Sequence, residues 1–230
     1  MALAPVVVGI ADHNGWAALV CVSVKDGSPE VIDRRRVELI EPGLPKHPYE
    51  HETVGMNAAE AERLVQEVRD SAAHCAGRAL SRLRSGLGTT GEILSIALRT
   101  APLPRLPSSV AEVHASWPVT VRADAMLYHD ALCTSAASLG IHVDTFARGE
   151  ERPRAGEATP ATAERLDRFL SGLRASLGPP WQQDHQAAAA RAIAAMGRYT
   201  ALQLDKPRFR QNVEPGRGVG RRATTMPRPD

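Results

Sequence analysis

Aromatic side chains are scarce in this sequence: three Trp, three Tyr and three Phe make up 4% of 230 residues. A core of this size is therefore not built on rings and falls mainly to Ala, Leu and Val. Lysine is scarcer still, present only at positions 25, 46 and 206, so nearly all positive charge is arginine. Arginine suits phosphate recognition. An Ala- and Arg-rich, Lys-poor composition is also the mark of a GC-rich genome, and does not by itself signal a polyanionic partner. Cysteine occurs three times, as Cys21, Cys75 and Cys133, with no C-x-x-C pair. That spacing excludes a zinc ribbon or a dithiol redox motif, and each cysteine reads as a small buried hydrophobe. The odd count and the lack of a signal peptide lead us to expect a reducing, cytoplasmic setting. No apolar run approaches the ~20 residues of a membrane span.

What charge there is lies unevenly. The formal net charge is +2. The segment Lys206–Asp230 carries seven basic residues against Glu214 and Asp230, which leaves −3 for the first 205 residues. A domain over 1–204 followed by a disordered basic tail over 205–230 is the expected organisation. The tail is rich in Pro and Gly and offers few large apolar groups to offset the entropy of ordering it.

The stretch that organises the rest is Val6–Val24. Val6–Ile10 is a short, wholly apolar strand, and Trp16–Val24 is apolar on both alternating sets, so both strands are expected to be buried on two faces. Between them Asn14-Gly15 is a favoured pair for a type I′ hairpin turn. Asp12 stands where the first strand runs out. A third strand, about Glu30–Ile40, is broken by Asp33, Arg34, Arg35, Arg36 and Glu38. Charge of that kind blunts an exposed edge, so this strand is expected outermost, with Arg34–Arg36 as a solvated edge.

The connection 41–54 contains His47, Glu50, His51 and Glu52 within six residues, which raises a metal-binding reading. Zinc sites draw on separate elements and a second shell of partners. The sequence identifies neither, and a loop lying over the sheet edge is the expectation. Ala58–Leu87 carries a helical apolar stripe over about eight turns. Gly86, Gly88 and Gly91 spell a G-x-G-x-x-G, but it follows a helix and precedes a strand, the reverse of a dinucleotide site. Then come a strand at Ile93–Leu98, a short helix over 109–116 opened by a capping box at Ser109 and Glu112, and a helix over Arg122–Leu139. A strand at Ile141–Phe146 and a surface loop over Arg148–Thr159 follow. A helix capped by Thr159-Pro160 runs to Leu177, and a last helix spans Trp181–Leu204.

Three strands joined by short turns and then alternating helices and strands require an α/β fold with a mixed sheet, the first three strands antiparallel and the last two added in parallel. Over roughly residues 5–204 this order, with an acid at the end of the first strand, resembles the ribonuclease H-like superfamily. The resemblance implies a five-stranded mixed sheet of order 3-2-1-4-5 flanked by helices. With its RuvC-like members in view, it also implies carboxylates holding Mg²⁺ or Mn²⁺ for phosphodiester hydrolysis. Asp12 matches the first-strand acid, and Asp184 in Asp184-His185-Gln186-Ala187-Ala188 matches the acid of the last helix, expected to face the sheet beside Asp12. Glu60 on the long helix is the candidate for a third ligand. The fourth-strand acid of the family has no counterpart, because that strand ends Leu98-Arg99-Thr100-Ala101.

Three functions follow as expectations. One is a divalent-metal-dependent nuclease with Asp12 and Asp184 catalytic. The second is a catalytically degenerate ribonuclease H-like binding or assembly module. The third is an actin-like nucleotide-binding domain, whose phosphate hairpin would need small residues where this one has His13-Asn14. In each case nucleic acid, if bound, is expected on the tail arginines Arg208, Arg210, Arg217, Arg221 and Arg222.

Overall fold

The computed structural model describes residues 3–202 and, beyond them, the backbone of Arg208–Phe209. Its centre is the expected hairpin: β1 (Ala4–His13) and β2 (Trp16–Lys25) pair antiparallel from Val7↔Val22 to His13↔Trp16. At the turn between them Gly15 has φ +83° while Asn14 does not enter the left-handed region, so the turn is not type I′. Positive φ at both central residues belongs instead to Asp26 (51°) and Gly27 (77°), between β2 and β3 (Ser28–Glu38). Those paired positive values are what the right-handed twist of a tight hairpin favours. Parallel crossovers then add β4 (Gly91–Arg99) beside β1 and β5 (His142–Phe146) beside β4. The core order is thus 3-2-1-4-5, the ribonuclease H-like arrangement.

A two-residue strand, β6 (Arg208–Phe209), pairs in parallel with Glu30 and Val31 on the outer side of β3. The rest of the expected tail, including Arg210, Arg217, Arg221 and Arg222, lies outside the described residues. Among the described residues no helix is long and apolar enough to cross a membrane.

Helices cover both faces. On one, α1 (Ala58–Leu87), α2 (Val110–His114) and α3 (Trp117–Ser138) meet Val6, Val8 and Ile10 of β1. On the other, α4 (Glu151–Ala158), α5 (Ala163–Leu177) and α6 (Gln183–Met196) meet Val7 and Ala11. The alternation along β1 is that of a strand buried on both sides. With few rings available, the second face is packed by alanines: Ala188, Ala189, Ala190, Ala192 and Ala195 of α6 are fully buried. Small side chains let α6 lie directly on β1. A Cβ added at Gly9 would stand 1.7 Å from the carbonyl oxygen of Ala188.

Four further local expectations are overturned. The segment 148–159 is not a loop. It forms α4, whose small residues pack against α6, and a Cβ at Gly197 would stand 2.5 Å from that of Ala158. Pro153 and Gly156 disguise this helix, which contact with α6 holds in place. The cap of α5 is Thr162, whose hydroxyl accepts from the Arg165 N–H, rather than Thr159-Pro160. Segment 41–54 does not lie over the sheet edge. It makes a single π turn, Pro48–Glu52, seated against α3 with Tyr49 buried. Nor is Arg34 solvated: it donates to the carbonyls of Leu177, Gly178 and Pro179 at 2.8, 2.9 and 3.2 Å, fastening the end of α5 to the sheet.

Candidate functional site

The β1–β4 ladder ends at Gly9↔Ala97, while β4 turns away with β5 as far as Arg99↔Phe146. Past Gly9 the two central strands no longer pair, and the gap between them lies beside Ile10 and Ala11, which are buried, and the less buried Asp12 and His13. Ligands of open α/β sheets bind in such crevices at the carboxyl ends of the strands. In this protein a side chain of the chain itself enters it. Arg191 of α6, only 6% exposed, donates from Nη1 to the Ile10 carbonyl at 2.7 Å. Its Nη2 stands 3.9 Å from Glu151 of α4. Burial pulls the guanidinium below its usual pKa range. The charges of Glu151, Asp12 and Asp184 oppose that shift, and Arg99 at the end of β4 adds to it. An arginine in such company keeps its proton, so the crevice holds a fixed cation.

Asp12 and Asp184 both lie at this end of the sheet but turn to opposite faces. Asp12 shares the face of Ile10: its Oδ2 stands 3.9 Å from Nδ1 of the buried His129 on α3. The next residue, His13, points the other way, and its Nε2 meets Asp184 Oδ1 at 3.2 Å. The expectation that Asp184 faces the sheet is thus corrected. Its carboxylate is 36% exposed, at the mouth of α6, while His185 and Ala188 take the buried positions. Asp184 also lines a half-open pocket of about 370 Å³ with Trp16, Arg35, Arg36, Gln182 and His185. There His13 stacks on Trp16 at 4.1 Å and Arg36 lies 3.8 Å over the same ring. Glu60 is exposed in the first turn of α1, where its backbone N–H donates to the cap Asn57. No described contact joins it to Asp12 or Asp184.

His129 also meets Cys133, one turn on, with Nε2 and Sγ 3.5 Å apart. Cysteine, histidine and aspartate in series suggest a nucleophile with its base. Burial, with the charges of Asp130 and Asp12, pushes the Cys133 thiol up to about 11. The thiol therefore stays protonated at neutral pH, which is the opposite of activation.

The fold implies a pair of divalent ions at this crevice, and the residues present do not fit them. Two ions ~3.5–4 Å apart need several carboxylates converging on one point. Here one candidate acid faces α3, the other pairs with a histidine across the strand, and β4 contributes Arg99 in place of an acid. The Ile10 carbonyl is already taken by a guanidinium, and a dication would be repelled by it.

No family model and no curated protein sequence matches the chain. Among solved structures, it is similar to RuvC of Thermus thermophilus at 15% identity, covering 84% of this chain and 95% of that one with a TM-score of 0.46. It is also similar to T. thermophilus RuvC in complex with a Holliday junction substrate, at 15% identity, 84% and 94% coverage and a TM-score of 0.43. A Ppx/GppA family member from Aquifex aeolicus aligns at 10% identity over 73% of this chain and 39% of that one, with a TM-score of 0.28. The class of the fold, ribonuclease H-like, rests on the strand order itself.

Proposed function

We propose that this chain is a ribonuclease H-like binding module in which an internal arginine has replaced the metal-assisted hydrolysis of the fold. The observation that carries this reading is the Arg191–Ile10 contact at 2.7 Å, at the point where β1 and β4 part. The guanidinium is a fixed cation under the charges of Glu151, Asp12 and Asp184, and it supplies no activated water. The polyanion that suits such a module is nucleic acid, held by Arg208, Arg210, Arg217, Arg221 and Arg222 of the C-terminal segment. The body to which they are attached carries a net negative charge and adds little to that attraction.

The test is a paired assay of binding and cleavage on single-stranded, duplex and four-way-junction DNA, with Mg²⁺ or Mn²⁺ present. The reading expects binding without cleavage above that of the Asp12→Asn variant. It expects a log–log salt slope on duplex no steeper than about −6, for at most seven phosphate contacts. Removing residues 207–230 should abolish binding at about 150 mM salt, because the net negative body that remains does not hold a polyanion. Metal-dependent cleavage lost in Asp12→Asn would instead establish a nuclease, with Asp12 and Asp184 catalytic.

A further inference from the structure

The π turn has no part in the crevice, yet it gathers a second set of ligating groups. His47, Glu50 and His51 stand at positions i, i+3 and i+4, on one side of a single turn. Each offers a ligand atom within 4.8 Å of the other two. From this geometry we infer a binding site for one borderline divalent transition metal, with zinc the best fit. Two imidazoles and one carboxylate form the donor set that such ions take, with a fourth position left to water.

Three nearby groups of ligands on one turn are common without any ion. What distinguishes this turn is the support that other elements give it. Nδ1 of His47 is contacted at 3.1 Å by the side-chain amide of Asn14, at the tip of the β1–β2 hairpin. The same nitrogen stands 3.8 Å from the carboxylate of Asp124, a residue of α3 that is 1% exposed. A ligating histidine is oriented through the ring nitrogen that does not bind the ion, so these partners at Nδ1 leave Nε2 of His47 as the ligand atom. Asp124 also accepts from the backbone N–H groups of Tyr49 and Glu50, at 3.0 and 3.1 Å, so one buried carboxylate fixes the turn that carries the ring. On the far side of the turn, His114 Nε2 meets the Tyr49 carbonyl at 2.9 Å and the Thr53 hydroxyl at 3.3 Å. Tyr49 itself is buried.

Charge agrees with the assignment. Glu50 and Asp124 both face His47, at 3.8 Å each, while the neighbouring Lys46 extends towards Glu38 on β3 at 4.0 Å. A dication would find two carboxylates and no ammonium group directed at it. Around a tetrahedral ion with bonds of ~2.0–2.1 Å, ligand atoms lie about 3.4 Å apart. The set must therefore close by a little over an ångström. Rotation of His51, which is exposed, can supply that without moving the backbone. Because Asn14 belongs to the hairpin tip, the ion would also tie segment 41–54 to the mouth of the crevice.

The test is calorimetric titration of the full chain with Zn²⁺, alongside the visible absorption of its Co²⁺ form. The expected result is one ion per chain, with thermal unfolding shifted upward by Zn²⁺. His51→Ala and Glu50→Gln should each weaken binding at least tenfold, and the His47→Ala/His51→Ala double variant should abolish both the heat and the thermal shift. Asn14→Ala, which removes a supporting partner and no ligand, should weaken binding by about tenfold or more. His51→Ala removes an exposed side chain, so an unchanged far-UV spectrum separates lost ligation from lost fold. Failure of the wild-type chain to take up Zn²⁺, or equal affinity in the double variant, overturns the inference.

Discussion

Arg191 Nη1 and the carbonyl oxygen of Ile10 lie 2.7 Å apart, although the residues are 181 positions apart in the chain. The contact joins the last helix to the central strand at the one place where that strand has lost its parallel neighbour. A buried carbonyl left without a donor costs about 1–3 kcal/mol. Removing one side of a buried charged contact costs about 3–5 kcal/mol. Arg191→Ala should therefore destabilise the fold by about 2–4 kcal/mol, seen as a lower urea midpoint. Loss of less than about 0.5 kcal/mol, the range of ordinary surface changes, would mean that the guanidinium is not bound as described.

Gly9 makes the same junction possible from the strand side. A methyl group there would collide with the backbone oxygen of Ala188, and backbone cannot rotate away as a side chain can. Gly9→Ala should cost about 3 kcal/mol or more, at the upper end of overpacking, and should lower the melting temperature sharply. A variant as stable as the parent would show that α6 does not lie against β1 at this distance.

His185 gives the fold a dependence on pH. Its imidazole is buried beside Trp181, and its Nδ1 accepts from the Gln182 N–H at 3.3 Å. Burial lowers its pKa, the charge of Arg34 lowers it further, and Asp184 opposes them. The folded state thus binds this proton less readily than the unfolded chain does. The stability it contributes is present above about pH 6.5, the value of a free histidine, and is lost as pH falls through the lower folded value. Urea midpoints from pH 7.5 down to 5 should fall faster for the parent than for His185→Gln. Parallel curves would contradict this.

Cys133 offers a chemical readout of the Asp12–His129 neighbourhood. With its thiol pushed up to about 11, thiolate is rare at pH 8. Its greater intrinsic nucleophilicity recovers only part of that deficit. Alkylation by iodoacetamide should run at least about tenfold slower than for a free cysteine. Labelling at the free rate would point to an activated thiol and reopen the cysteine–histidine–aspartate reading.

Much of the fold was legible because it depends on local order. The largely apolar pair β1 and β2, the long stripe of α1 and the alternation that follows point to the order 3-2-1-4-5, which is found, with β6 added outside β3. Helix α4 was hidden because its stability comes from contact with α6 rather than from its own residues, which include Pro153 and Gly156. The site was less legible. Asp12 is at the strand end where the sequence puts it. The face it turns to depends on the strand continuing past Ile10: it runs three residues further, to His13, so Asp12 keeps the face of Val8 and Ile10. Arg191 carried one readable sign, a lone charge inside the run Ala187–Ala195, which is where a buried arginine needs a partner from elsewhere. The partners of His47, Asn14 and Asp124, sit on separate elements far away in sequence, so no local pattern announces the support they give it.

The central claim is that Arg191, and not a divalent ion, occupies the crevice. Its most direct measurement is a calorimetric titration with Mn²⁺ in the His47→Ala/His51→Ala background, which silences the π turn, with and without Asp12→Asn. The account predicts no heat that depends on Asp12 at any Mn²⁺ concentration in the titration. Saturable Mn²⁺ binding that disappears with Asp12→Asn would contradict it.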